Sequence, residues 1–116
     1  MDFTVEFYET ANGECPVRVF LDELKGSDPD DFAAVVAGLV KLRNRDYHRE
    51  PLSKALGEGL FELRHVGRLN TRILWFFVKN RRILAVHGIR NKGRVIPARD
   101  MKIARERMGD WQKRKG

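Results

Sequence analysis

The segment His87-Gly88-Ile89-Arg90-Asn91-Lys92-Gly93-Arg94 gathers a histidine, two arginines and an intervening lysine within one short stretch, beside glycines that let backbone approach a bound group closely. Upstream, Glu62 and Arg64 sit inside one apolar-rich run and Arg72 opens the next. Charged groups inside strands cost free energy unless they are paired or used, so all three need a reason. One reason is an ion pair between Glu62 and a single arginine, which leaves the second arginine unassigned. The other is a concave basic site for a phosphodiester. Arginine offers phosphate a planar fork of donors and stays charged, whereas a lysine crowded by cations sheds its proton, so Lys92 and Lys54 are candidate general bases. His87 is a candidate acid or base. RNA supplies its own nucleophile, the 2′-hydroxyl, and a base, an acid and positive charge suffice to cut it without a metal. Arg64, Arg72, His87 and Lys92 are therefore the candidate catalytic residues, with Lys54, Arg90 and Arg94 as RNA-binding cations.

Other chemistries find no support. There is no HExxH, no His-Cys cluster and no group of carboxylates beside the basic strands, so neither a metal nor another cofactor is expected. Gly57 and Gly59 are not followed by the lysine-serine or lysine-threonine pair of a phosphate-binding loop. The single cysteine, Cys15, makes no internal disulfide or zinc site and lies among acidic residues, where nothing activates a thiol. His48 and His65 read as surface or packing residues.

The elements that would carry these groups follow from periodicity. Phe3 to Tyr8 alternates at period two and ends toward an Asn12-Gly13 turn, a first strand. Val17, Phe20, Leu21 and Leu24 form a helical stripe after Pro16, with Gly26 placed to supply a left-handed cap. Asp28-Pro29-Asp30-Asp31 is a helix start signal, and Phe32, Val35, Val36, Leu39 and Val40 continue as a second stripe, giving a helical hairpin. Residues 49–59 lack periodicity and read as a connection. Three strands follow, Leu60 to Val66, Thr71 to Val78 and Arg82 to Gly88, as an antiparallel meander whose middle member is apolar on both faces. Parity sets Glu62 and Arg64 opposite Phe61 and Leu63, and Arg72 on the side of Leu74 and Phe76. Trp75, Phe76 and Phe77 read as core. A last helix opens at Pro97, with Met101, Ala104, Met108 and Trp111 as its apolar stripe. The fold class is α+β, one domain over residues 1–116.

Charge is divided along the chain. The net +7 resolves into 6 basic and 11 acidic residues over positions 1–50, a balance of −5, and 17 against 5 over positions 51–116, a balance of +12. A positive field so concentrated suits RNA, DNA or a strongly acidic protein. Apolar runs such as Ile73 to Val78 are far below the ~20 residues a membrane helix needs. No secretory signal is legible near the N-terminus, so a cytoplasmic protein without membrane association is expected.

Leu60-Phe61-Glu62-Leu63-Arg64, then Arg72-Ile73, then Ile83-Leu84 leading to His87-Gly88-Ile89 and Arg90-Asn91-Lys92, then a Pro97 helix with Ala104 and Arg107, together resemble the phage-derived HigB-like branch of the RelE/ParE toxin superfamily over about residues 1–112. The resemblance implies a RelE-like fold, a helical hairpin packed on a small antiparallel sheet. It implies the toxin half of a type II toxin–antitoxin pair, a metal-independent endoribonuclease cutting mRNA in the translating ribosome. Its partners would be a cognate antitoxin, mRNA and the ribosome, with higher-order toxin–antitoxin complexes. By position, Arg64 and Arg72 match arginines on the family's active-site strands and Lys92 matches the second basic residue after His-Gly. The chain departs from the family where Ile89 replaces an aromatic and Asn91 a lysine. Two alternatives share the fold: a ParE-like inhibitor of DNA gyrase and a non-catalytic RNA-binding relic.

Overall fold

A computed structural model describes residues 2–66, 70–91 and 93–115. The order is β1 (Thr4–Phe7), α1 (Pro16–Ser27), α2 (Pro29–Lys41), a 3-10 turn (Arg45–Tyr47), β2 (Ser53–Gly57), β3 (Leu60–Val66), β4 (Asn70–Val78), β5 (Arg82–Asn91) and α3 (Ala98–Lys115). The strands form one sheet in the order β1-β5-β4-β3-β2. Strands β2 to β5 pair antiparallel, and β1 joins the outside of β5 in parallel, so the sheet is mixed. This is the expected α+β arrangement, compatible with a RelE-like fold.

The two helices of the hairpin meet at Asp28, which serves both. Its backbone N–H closes the last turn of α1 onto the Leu24 carbonyl, and its carboxylate accepts from the Asp31 N–H at 3.2 Å, capping α2 ahead of Pro29. Gly26 is therefore not the cap that its type predicted. It lies inside α1, because the dual use of Asp28 lets the helix run on to Ser27.

Residues 49–59 are likewise more than a connection. Ser53–Gly57 form the edge strand β2, and Glu58 and Gly59, both at positive φ, turn the chain back into β3. Its period was hidden because Lys54 and Ala55 are exposed and the segment is short.

The sheet separates two cores. On one face Ile73, Trp75, Leu63, Ile83 and Ala85 pack against Val17, Leu21, Leu24, Val35 and Leu39 of the hairpin. On the other, Leu60, Leu74, Phe76, Leu84 and Val86 pack against Ala104 and Trp111 of α3, with Met101 and Met108 at the margin. Strand β4 is thus covered on both faces, which is why it is apolar at nearly every position. Phe61 stacks on Trp75 with centroids 4.7 Å apart, and His48 packs edge-on against Phe3. These aromatics and His48 are core and packing groups. No helix among the described residues is long and apolar enough to cross a membrane.

Candidate phosphate-binding groove

Strand register sets the site. Lys54 lies opposite Glu62, Glu62 opposite Leu74 and Leu74 opposite His87, one row across the sheet on the face of α3. The next row on that face is Arg64, Arg72 and Ile89. Like charges directly opposite each other repel, and Glu62 stands between Arg64 and Arg72 to offset that repulsion. One Glu62 carboxylate oxygen lies 3.5 Å from Arg64 Nη2 and the other 3.4 Å from Arg72 Nε. Glu62 therefore pairs with both arginines, not with one as the sequence predicted.

The two arginines differ in what they offer. Arg72 is wholly buried, and burial is the leading cause that pushes its pKa down from the usual arginine value. Its Nη1 donates to Asn91 Oδ1 at 3.1 Å, and its Nη2 donates to the carbonyls of Gly93 at 2.9 Å and Arg94 at 2.6 Å. Arg72 thus anchors the segment after β5. Arg64, about one-third exposed, also reaches the Arg94 carbonyl at 3.4 Å and borders open solvent.

Above this buried pair is a groove of about 300 Å³. Lys54, Arg64 and Arg94 supply its cations, Glu62 lies at its base, and Leu56, Val95, Ile96 and Met101 make the rest of its wall. The fold has brought together three of the candidate cations from β2, β3 and the loop before α3. The groove sets three cations beside an apolar wall, the complement of an anion with an apolar neighbour.

The matching family model is that of the phage-derived Gp49-like proteins (DUF891), over residues 22–109. The chain belongs to this family. The Gp49-like family is associated with RelE- and HigB-like toxins and related to the ribonucleases of toxin–antitoxin systems. No curated protein matches the chain.

In this Gp49-like protein the other candidates stand elsewhere. Both ring nitrogens of His87 are occupied. Arg107 Nη1 donates to Nδ1 at 3.0 Å, and since arginine only donates, Nε2 carries the proton and gives it to Asp100 Oδ1 at 2.8 Å. Burial, first, and the neighbouring Arg107 charge lower the His87 pKa below the ordinary 6.5, while the bond to Asp100 opposes them. His87 thereby fastens β5 to α3 as a neutral ring.

Arg90 is on the opposite face. It joins a polar row, His65–Thr71–Arg90, that converges on buried Asp31 of α2. Thr71 Oγ1 donates to Asp31 Oδ2 at 2.5 Å, His65 Nε2 lies 3.2 Å from Oδ1, and Arg90 bonds Asp28 and lies 3.3 Å from Asp31. As an RNA-binding candidate Arg90 is thus displaced by the sheet from the groove that holds Lys54 and Arg94. Lys92 falls outside the described residues. Gly88 does not open space for a ligand either: a Cβ there would lie 2.4 Å from the Phe20 ring of α1.

Several residues that shape the site were not singled out for it from the sequence. Asn91 holds Arg72, Asp100 and Arg107 hold His87, and Arg107 also donates to the Val86 carbonyl at 2.8 Å. No local pattern marks them, since each works across a long loop or from a separate element.

Proposed function

We propose that this Gp49-like protein is the toxin of a type II toxin–antitoxin pair and that it cuts mRNA on the translating ribosome without a metal. The observation that carries this reading is the convergence of Lys54, Arg64 and Arg94 on one open groove above a buried Glu62–Arg72 pair. Family membership supports the same reading.

In the proposed reaction the 2′-hydroxyl of a single-stranded RNA attacks the adjacent phosphorus. The bond to the 5′-oxygen breaks and that oxygen takes a proton from solvent water, leaving a 2′,3′-cyclic phosphate and a 5′-hydroxyl. Arg64 and Arg94 stabilise the charge that builds on the phosphoryl oxygens, a task for preorganised donors. Glu62 fixes the Arg64 guanidinium from below. The proton of the 2′-hydroxyl goes to Lys92, while Lys54 stays a phosphate-binding cation of the groove. His87 does not take it, because both its nitrogens already serve the β5–α3 junction. A cognate antitoxin neutralises the toxin by covering this basic face.

The test is primer extension on a reporter mRNA in a reconstituted translation reaction, with and without ribosomes, for the native chain and Arg64→Ala. Cuts that require ribosomes and vanish in the variant support the reading. Intact mRNA with folded native protein overturns it, and inhibition of supercoiling in its place would assign the ParE-like alternative.

A further inference from the structure

The basic groove carries an apolar half that phosphate binding does not use. Val95 is 81% exposed, the most exposed large aliphatic side chain described, and it stands beside Ile96, Met101 and Leu56 at the edge of three cations. A patch of this kind next to positive charge fits a ligand with an anion on one side and a flat apolar face on the other. We infer that this patch is a seat for one unpaired nucleobase, held by contact with Val95, Ile96 and Met101 while its flanking phosphates bind Lys54, Arg64 and Arg94. The inference rests on the RNA reading above and adds how the base is recognised.

Hydrogen-bond accounting gives the specificity. Glu62 is buried and ion-paired with Arg64 and Arg72, the Asn91 oxygen accepts from Arg72, and the Gly93 and Arg94 carbonyls accept from Arg72 as well. Among the described groove side chains, those left to meet a ligand are aliphatic groups and cations. Cations seek phosphate, and aliphatic groups accept any base, so neither distinguishes adenine from cytosine or uracil. Methionine adds a flexible, polarisable contact that adapts to ring size. The site itself therefore has little base preference, and it requires a single strand, because a paired base cannot leave its stack to lie on the wall. Ile89 takes no part in the seat, since it is buried in the core against α3.

The experiment is fluorescence anisotropy of the full-length protein with uncleavable 2′-O-methyl oligonucleotides of A, C or U, an abasic strand with the same phosphates, and a matched duplex. Each is measured for the native chain, for Val95→Ser and for Met101→Ser, with circular dichroism to confirm folding. Native protein is expected to bind the three single strands within about threefold of one another and roughly tenfold tighter than the abasic strand or the duplex, the size of one stacking contact. Val95→Ser, at a position too exposed to matter for folding, should bring the intact strands toward the abasic value and leave abasic binding unchanged. Equal affinity for intact and abasic strands, an equal loss on both in the variant, or a preference above about tenfold for one base overturns the seat. The abasic strand separates the two readings: if it binds as tightly as the intact strands and with salt-sensitive affinity, the phosphate site stands without the seat, and if no strand binds at low salt both fall.

Discussion

Glu62 and Arg72 form a sealed ion pair, 3.4 Å apart, in the middle of a sheet face with both side chains almost wholly withdrawn from water. Neither meets solvent directly, yet between them they hold Arg64 and the Gly93–Arg94 backbone. Removing one partner leaves an uncompensated buried charge, so Glu62→Ala should lower unfolding free energy by about 3–5 kcal/mol in urea titrations. Replacing both by apolar residues, Glu62→Leu with Arg72→Met, should recover much of that stability. RNA affinity should stay weakened in the double variant, because the loop that carries Arg94 has lost its anchor.

Stability should also carry the signature of His87. Its folded-state pKa lies below the ordinary 6.5, so the unfolded chain takes up the proton first as pH falls. The stability contributed by the neutral ring is full above about 6.5 and is lost as pH drops from there to the lowered folded value. Urea titrations between pH 5 and 8 should show stability rising with pH over that window. His87→Gln should flatten the rise and cost about 1–2 kcal/mol at pH 8 through the lost acceptor for Arg107.

The two faces of the sheet should separate in salt titrations of RNA binding. Lys54→Ala and Arg94→Ala are each expected to reduce the slope of log affinity against log salt by about 0.7, the value for one phosphate contact on a single strand. Arg90→Ala should leave the slope unchanged. It should instead lower stability by about 1–3 kcal/mol, having removed a charge-assisted bond to Asp28 and an ion pair with Asp31.

Gly88 is set by close packing. The Cβ of Gly88→Ala would meet the Phe20 ring at 2.4 Å, so the substitution should cost about 1–3 kcal/mol by overpacking. Phe20→Leu should relieve part of that cost, and the double variant should be less destabilised than the sum of the two singles.

Much of this architecture was legible because it rests on period. The stripes of α1, α2 and α3 each face a core, and parity correctly set Glu62 with Arg64 within β3 and Arg72 with Leu74 and Phe76 within β4, while the register that brings the three charges together came from strand pairing. Strand β2 was missed because an exposed edge strand of five residues with lysine, alanine and glycine has too little apolar contrast to show alternation. Gly26 was misread because a glycine's type reports what it permits, while the cap depended on Asp28 turning the chain between two helices.

The sequence by itself determined the α+β class and the presence of a basic face, since hydrophobic period and charge are local properties of the chain. Which charges share that face was decided only in the tertiary structure, by one extra residue. Leu74 pairs with His87 but Trp75 pairs with Ala85, leaving Val86 as a bulge in β5 whose carbonyl is satisfied by Arg107 of α3. Strict alternation from Val86 would turn His87 toward the hairpin and Arg90 toward the groove; the bulge reverses both. Because a strand's period is two, a single inserted residue exchanges the faces of everything beyond it, and only contact with a distant helix reveals where that insertion falls.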